Sequence, residues 1–256
     1  VHVHNHTEYS LLDGANRIPD MVWRAGELGM NALAISDHGV MFGVMEFYFE
    51  CVRQGIKPLI GMEAYVAPGG RQVKAGREDK QNYHLLLLAK NIEGYRNLCK
   101  LHSIAALEGF YYKPRIDHEL LRQYGTGLIG TSACLGSEIC QELMEGTYDR
   151  AQYIAGMYKE MFDEDSFFIE LQDHKLPEQA RIREQLIKIA GELRLPLVAT
   201  NDAHYLCRGD AEPHDVLLCI GTGSLREEQD RLKFDTQEFY LKSPEEMAAL
   251  FVDRPD

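Results

Sequence analysis

Val1-His2-Val3-His4-Asn5-His6 places an imidazole at every second position. On an extended segment, alternate side chains meet one face, so His4 and His6 point the same way and His2 lies deeper on that side. The segment reads as a strand, Val1–Asn5, that ends in metal-ligand residue types. Six more apolar runs read as strands: Ala32–Ser36, Pro58–Val66, His84–Ala89, Gly127–Ser132, Phe167–Gln172 and Leu197–Thr200. Amphipathic stretches at helical spacing lie between most of them: Ile18–Leu28, Gly43–Gln54, Ile92–Ala106, Glu119–Gln123, Tyr148–Phe162 and Pro177–Leu193. Strand and helix in alternation predict a parallel α/β sheet, open or closed. Seven strands suggest a barrel close to the (β/α)8 type but one unit short.

One connection breaks the alternation. Between Val66 and Tyr83, Ala-Pro-Gly-Gly leads into a charged stretch with no apolar period, which reads as an exposed loop. A hairpin-like return there would bring His84, which opens its strand, to the same rim as Glu63. Beyond Asp210 the pattern changes. Phe239-Tyr240-Leu241 reads as a short strand, and Ser243-Pro244-Glu245-Glu246 as a helix start with serine as cap and proline in the first turn. The expectation is one domain over residues 1–256, with a barrel to about residue 209 and an extension over residues 210–256.

The 256 residues carry a net charge of −13, which argues against a broad nucleic-acid-binding surface. Bound cations would neutralise several of the acids, and a neighbouring domain could supply basic surface. The six cysteines, 51, 99, 134, 140, 207 and 219, form no C-x-x-C pair, as expected of reduced thiols in a cytoplasmic protein. No apolar run approaches the roughly 20 residues of a membrane helix. No signal peptide is recognisable. The chain opens inside an apparent strand without methionine, which reads as a processed or excised piece.

The chemistry-bearing residues fall mostly at strand ends, which share one rim in a parallel barrel. His2 alone is best read as a hydrogen-bonded barrel residue. His4 and His6 together are costly to bury without a ligand. Asp13-Gly14 by itself is a common turn, but beside two histidines Asp13 becomes a ligand candidate. In Ser36-Asp37-His38, a helix cap followed by a turn is the plain alternative; His38 is the ligand candidate, and Asp37 could orient a neighbouring imidazole. Glu63 closes an apolar run and is expensive there unless paired or metal-bound. Cys134 alone would be a small buried hydrophobe. Asp202 and His204 repeat the two-residue spacing. His102, His118 and His214 read as surface or packing residues. His174 divides evenly between packing and substrate contact. Arg115 could bind a phosphate or cap a helix.

Imidazole, thiolate and carboxylate are the donor set of zinc, manganese or iron. No G-x-S-x-G elbow, P-loop or post-strand G-x-G-x-x-G is present. A cluster of metals suits phosphate-ester hydrolysis: one cation activates a water and a second clamps the opposing oxygen, so no protein nucleophile is needed.

His4-x-His6-x-x-x-Ser10 with the following Asp13-Gly14 resembles the first motif of the polymerase and histidinol phosphatase (PHP) superfamily. Ser36-Asp37-His38 and Asp202-Ala203-His204 are similar to its second and last motifs. Ser10-Leu11-Leu12-Asp13-Gly14, Gly55-Ile56-Lys57-Pro58, Gly109-Phe110-Tyr111, Lys113-Pro114-Arg115-Ile116-Asp117 and Val198-Ala199-Thr200-Asn201-Asp202 narrow the resemblance. They resemble the N-terminal PHP domains of bacterial replicative DNA polymerase III alpha subunits. The likeness continues through Glu238-Phe239-Tyr240 and Ser243-Pro244-Glu245-Glu246, so it covers essentially the whole chain.

The resemblance implies a distorted seven-stranded (β/α)7 barrel holding up to three metals, with zinc expected and Mn²⁺, Fe²⁺ or Mg²⁺ as alternatives. It implies a first metal on His4, His6, Glu63 and Asp202. A second would lie on Glu63, His84 and Cys134, with Glu63 bridging, and a third on Asp13, His38 and His204. Many PHP phosphatases have histidine at the positions of Asp13 and Cys134, which leaves the preferred metal open. Some polymerase relatives have lost ligands and are inactive; this chain retains the full set.

The implied activity is a 3′→5′ exonuclease that proofreads in DNA replication. The implied partners are a DNA 3′ end, the rest of the polymerase chain and a separate proofreading subunit. The polymerase active site would lie beyond Asp256. A free-standing phosphatase or pyrophosphatase on a small ester, and a metal-stabilised scaffold that docks a proofreading subunit, are the alternatives.

Overall fold

A computed structural model describes residues 1–74 and 82–253. The part of the charged loop at residues 75–81 lies outside the described residues. Helix α1 (Ile18–Glu27) starts with a proline in its first turn and buries Ile18, Met21, Val22 and Ala25 on one stripe. Strand β1 (Ala32–Ile35) follows, buried throughout. Helix α2 (Val44–Gln54) ends at Gly55 in the left-handed conformation. Then come β2 (Lys57–Val66), β3 (Tyr83–Ala89) and α3 (Ile92–Leu107), the last capped by the Asn91 side chain. A two-residue β4 (Arg115–Ile116) precedes α4 (His118–Tyr124), capped by Asp117. The chain continues through β5 (Leu128–Thr131), α5 (Glu138–Glu145), α6 (Tyr148–Lys159), β6 (Phe167–Leu171), α7 (Pro177–Leu193) and β7 (Leu197–Ala199). Helices α8 (Ala211–Thr222) and α9 (Pro244–Leu250) complete it. Ser243 and Glu246 form a reciprocal cap at the start of α9, as the sequence predicts.

The strands form one curled seven-stranded sheet in the order β1-β2-β3-β5-β6-β7, with β4 beside the end of β2. Strand β3 runs antiparallel to both β2 and β5; the other pairs are parallel. The expected hairpin-like return is therefore present. Its register sets Tyr65 opposite His84 and Glu63 opposite Leu86. Along β3, Leu85 and Leu87 join the large core beneath the helices. Leu86 and Leu88 form a small interior floor with Ala34 and Ala133.

Two strand expectations are corrected. Val1–Asn5 forms no ladder. The Asn5 amide reaches back to the His2 carbonyl at 3.1 Å and across to that of Ala34 at 3.0 Å, so the segment bends locally. It still closes the curl. On the β1 side, Ala34 N–H donates to His2 and Ser36 N–H to Asn5. On the other side, Ala203 N–H donates to His4 and His6 N–H to Ala203. The seventh strand is instead β4. Phe239–Leu241 also forms no strand; Tyr240 makes a single bridge to Tyr205. Among the described residues, no helix is long and apolar enough to cross a membrane.

Candidate metal centre

Strand β2 and the loops that leave β1 and β7 meet the N-terminal segment at one rim. His4, His6, Glu63 and Asp202 converge there, all buried. His4 Nε2 lies 3.2 Å from Glu63 Oε1 and 3.3 Å from Asp202 Oδ1. His6 Nε2 lies 3.0 Å from the same Asp202 oxygen and 3.7 Å from Glu63 Oε2. A second group shares Glu63. His84 Nδ1 is 3.2 Å from Glu63 Oε1, and Cys134 Sγ is 3.4 Å from His84 Nδ1 and 3.7 Å from Glu63 Oε1. The third group centres on Asp13, whose Oδ2 lies 3.3 Å from His38 Nε2 and 3.9 Å from His204 Nε2. His38 also joins the groups, with Nδ1 2.6 Å from Glu63 Oε2. All nine side chains named from the sequence therefore stand at one site.

The electrostatics are those of a charged cluster removed from water. Burial raises Glu63, but His84, His38 and His4 outweigh it and hold the carboxylate well below its usual range. Burial also opposes ionisation of Asp202 and Asp13, and neighbouring imidazoles pull both below their usual range. Burial lowers His4, yet Asp202, Glu170 and Glu63 carry it well above the ordinary value. Partial burial opposes protonation of His38, yet Glu63 and Asp13 lift it to about 10. His6 falls to about 3, through burial and then repulsion from His38 and His204. Burial first, then Glu63 and Asp202, keeps the Cys134 thiol well above its usual value while no cation offsets these carboxylates.

The donor atoms fit resident cations. His4 Nε2, His6 Nε2, His38 Nδ1, Glu63 Oε2, Asp13 Oδ1 and Asp202 Oδ1 are buried with no hydrogen-bond partner; their close approaches lack hydrogen-bond alignment. Buried polar atoms left unpaired are costly, and a cation shared among them removes the cost. His4, His6 and Asp202 form one compact ligand triad, and His38, Glu63 and His84 another.

The other faces of these imidazoles are already engaged. His4 Nδ1–H donates to Glu170 Oε1 at 2.7 Å, which leaves Nε2 for a metal. Glu170 is itself held by the Thr131 and Thr200 hydroxyls and by Gln172. His6 Nδ1–H donates to Ser10 Oγ at 3.0 Å, and Ser10 in turn donates to Asp37. Asp37 thus orients an imidazole as expected, but through Ser10. Its carboxylate also fixes Thr7 through the Thr7 amide and hydroxyl. Gly14 permits the Asp13 turn, since a Cβ there would lie 1.9 Å from the Thr7 carbonyl oxygen. His214 Nε2–H donates to the Asp13 carbonyl at 2.7 Å, so α8 steadies the same turn. Asp202 holds φ +43°, a strained value for a non-glycine residue and a frequent one at functional sites.

Glu170 and the role of His214 are absent from the sequence reading. An acid inside the apolar run Phe-Phe-Ile-Glu-Leu was the available signal for Glu170, the same kind that singles out Glu63. The two substrate candidates stand elsewhere. His174 is buried, with Nε2–H donating to the Asn201 carbonyl and Nδ1 accepting from Gln179, and its ring stacks on Phe239. This is the packing role. Arg115 is buried and directs its guanidinium at the carbonyls of Gly109, Arg71 and Val73. It ties loops together and presents no free face to a phosphate. His2 donates to the Lys242 carbonyl, as a barrel residue should. His102 reaches the Gly39 carbonyl, and His118 reaches Glu138 and Tyr158.

Fold and site together define a PHP domain: residues 2–174 match the PHP domain family, to which the chain belongs. Over its full length the chain is 48% identical to DNA polymerase III subunit alpha of Treponema pallidum, and 46% identical to that of Borreliella burgdorferi. That of Thermus aquaticus is 46% identical over 97% of the chain. The chain covers 22%, 22% and 21% of these proteins, so it spans about a fifth of the relatives it matches. Among solved structures, one from Bifidobacterium adolescentis, assigned as a metal-dependent phosphoesterase, aligns over 91% of this chain and 92% of its own. Its TM-score is 0.53 at 16% identity. An amidohydrolase from Chromobacterium violaceum with bound sulfate aligns over 79% of this chain and 87% of its own, with TM-score 0.50 and 15% identity. At these identities the likeness is one of fold.

Proposed function

We propose that this chain is the metal-dependent phosphoesterase unit of a cytoplasmic DNA polymerase III alpha subunit, removing nucleotides from a DNA 3′ end. The observation that carries the reading is the convergence of nine donor side chains, six of which, His4, His6, Asp13, His38, Glu63 and Asp202, keep a buried donor atom without a hydrogen-bond partner. His4, His6, Glu63 and Asp202 would hold one cation. Glu63, His84 and Cys134 would hold a second, and Asp13, His38 and His204 a third. Zinc suits the imidazole and thiol donors best. When bound, such cations supply a nucleophile from water and stabilise charge on the phosphate.

The chain's own residues do the rest. Glu63 contacts donors of all three groups and so fixes their spacing. Glu170 and Ser10 engage the Nδ1 atoms of His4 and His6, so that Nε2 is the nitrogen each would offer to a cation, His4 after giving up its proton. His4, His6, Glu63, Asp202 and His204 are buried, while Asp13, His38, His84 and Cys134 are partly exposed, the side from which a phosphate would approach.

The whole-length likeness to polymerase alpha subunits supports DNA as substrate, with the rest of that polymerase as a covalent partner. A scaffold that docks a separate proofreading subunit has one observation in its favour. Helix α2 exposes Met45, Tyr48, Phe49 and Val52 on its outer face. The test is metal analysis of the purified chain together with degradation of single strands labelled at the 3′ or 5′ end. Release of labelled mononucleotide from the 3′ end alone, dependent on zinc or manganese, is expected. Less than one metal per chain after zinc and manganese incubation would overturn the metal reading. An intact DNA strand beside turnover of small phosphate esters would replace the exonuclease with a phosphatase. Full metal occupancy with no turnover of either would leave the scaffold.

A further inference from the structure

A cleft of about 200 Å³ opens beside the third ligand group, with Asp13 and His38 in its wall. Its other walls are mostly apolar, led by Tyr9, Phe42 and Tyr65, and one ammonium, Lys113, lines it. We propose that this cleft is the subsite for a single unpaired nucleotide, with Lys113 on a phosphate oxygen and the aromatic walls on the base. The proposal rests on the phosphoesterase reading for the phosphate's place at the ligand cluster, and deepens it by naming what flanks that phosphate.

Three features place Lys113 there. Lys113 Nζ sits 5.1 Å above the Tyr65 ring, and Tyr65 stacks on His38 with centroids 5.9 Å apart. The turn before it is strained: Tyr112 holds φ +60°, and Tyr111 N–H closes onto the Lys113 carbonyl at 3.0 Å. A non-glycine residue in that region costs stability and persists where the surroundings enforce it. Gly39, at φ +65°, lets this turn approach, because a Cβ there would lie 2.9 Å from both Pro114 and Tyr65. The chain thus accepts a strained turn against the loop of a ligand histidine, and the turn carries the ammonium that lines the cleft.

Size and surface decide the ligand class. The cleft is smaller than the roughly 300–1,000 Å³ of sites that enclose a drug-sized molecule, so it suits one ring system and not a base pair. At its mouth Phe42 is 62% and Leu11 is 78% exposed. Apolar side chains left in water beside a charged cluster offer a stacking face, and base stacking on aromatic rings tolerates any sequence. An ammonium beside such a face matches a nucleoside monophosphate unit, whether free or at a strand end.

The test measures binding to the zinc-loaded chain, by calorimetry, of dAMP, inorganic phosphate and a single-stranded deoxyoligonucleotide. Zinc content and melting temperature are recorded for every variant. Lys113→Met should weaken dAMP about tenfold, the size of a lost charge-assisted hydrogen bond, and Lys113→Arg should restore most of it. Phe42→Ala should weaken dAMP and leave inorganic phosphate unchanged. Oligonucleotide binding with the same Lys113 dependence assigns the subsite to a strand end; dAMP binding alone assigns it to a free nucleotide. Unchanged dAMP affinity in both Lys113→Met and Phe42→Ala, at full zinc content, overturns the subsite. Hydrolysis of bis(p-nitrophenyl) phosphate by the parent chain tests the phosphoesterase reading separately. Lys113-dependent dAMP binding without that hydrolysis would keep the subsite and sink the phosphoesterase.

Discussion

Glu170 Oε1 lies 2.7 Å from His4 Nδ1, joining β6 to the N-terminal segment across 166 residues of sequence. The contact fixes which nitrogen of His4 carries its proton and makes the other a better donor. Glu170→Gln keeps the shape and removes the charge. It should weaken zinc at the His4–His6 position by roughly 10–100-fold with the fold retained, as for other carboxylates behind metal-binding histidines. Competition with a chromogenic chelator measures this. An unchanged zinc affinity would show that the contact serves packing only.

His214 predicts a graded effect. Its bond to the Asp13 carbonyl is the direct link from α8 to the ligand turn, and Gly221 of the same helix sits close to Leu12. His214→Ala should cost about 1 kcal/mol of stability. It should weaken the cation on Asp13, His38 and His204 more than the other two. Zinc titration followed by mass spectrometry should show loss of the most weakly held ion first. Equal weakening of all three would assign His214 to general stability instead.

The candidate cluster was legible in the sequence partly from residue types that are dense and costly to bury without a purpose, and its full membership came from the resemblance to PHP domains. The alternation His4, Asn5, His6 was read as a strand, although what it encodes is two donors on one side of a bent segment. Strand β4 is too short to leave a periodic signal, and its pairing with Tyr65 and Val66 is a tertiary fact. Lys113-Pro114-Arg115 could not reveal that Arg115 points inward, because the carbonyls that receive it come from distant loops. Glu170 went unread because its hydroxyl partners, Thr131 and Thr200, meet only once the sheet curls.

Stability should depend on pH in opposite senses on the two sides of neutrality when metal is absent. His38 is raised to about 10. A raised histidine stabilises fully below its unfolded value of 6.5, and this is lost as pH climbs to about 10. His2 and His174, lowered to about 4 by burial, act the other way; their neutral forms favour the fold above 6.5, and stability falls as pH drops toward 4. The chelated chain should therefore melt most readily at both extremes. Zinc at a hundredfold excess over its dissociation constant should add about 2.7 kcal/mol near neutral pH. Because His38, raised to about 10, must lose its proton to bind metal, zinc uptake should release protons and tighten as pH rises toward 10. Melting curves with and without chelator, and calorimetry in buffers of different ionisation enthalpy, check both. A melting temperature unmoved by verified metal removal would count against a shared site.

Glu63 should be the most damaging position for hydrolysis. Its two oxygens face His4, His6, His38 and His84, with Cys134 also in reach, so it touches donors of all three ligand groups. Glu63→Gln keeps the volume but removes the charge that these imidazoles share. The rate on a 3′-labelled strand should fall roughly a hundredfold or more, because each 1.36 kcal/mol lost from the transition state costs a factor of ten. Asp202→Asn should be nearly as severe, since one of its oxygens serves both His4 and His6. His118→Ala lies outside the cluster and should leave the rate intact. It will not be silent in stability, because its ring holds Glu138 at 2.9 Å in a half-buried contact. A melting-temperature drop without a rate change in that variant, beside rate loss in the other two, separates chemistry from folding. Equal rates in Glu63→Gln and the parent would mean that the nuclease measured belongs to a contaminant.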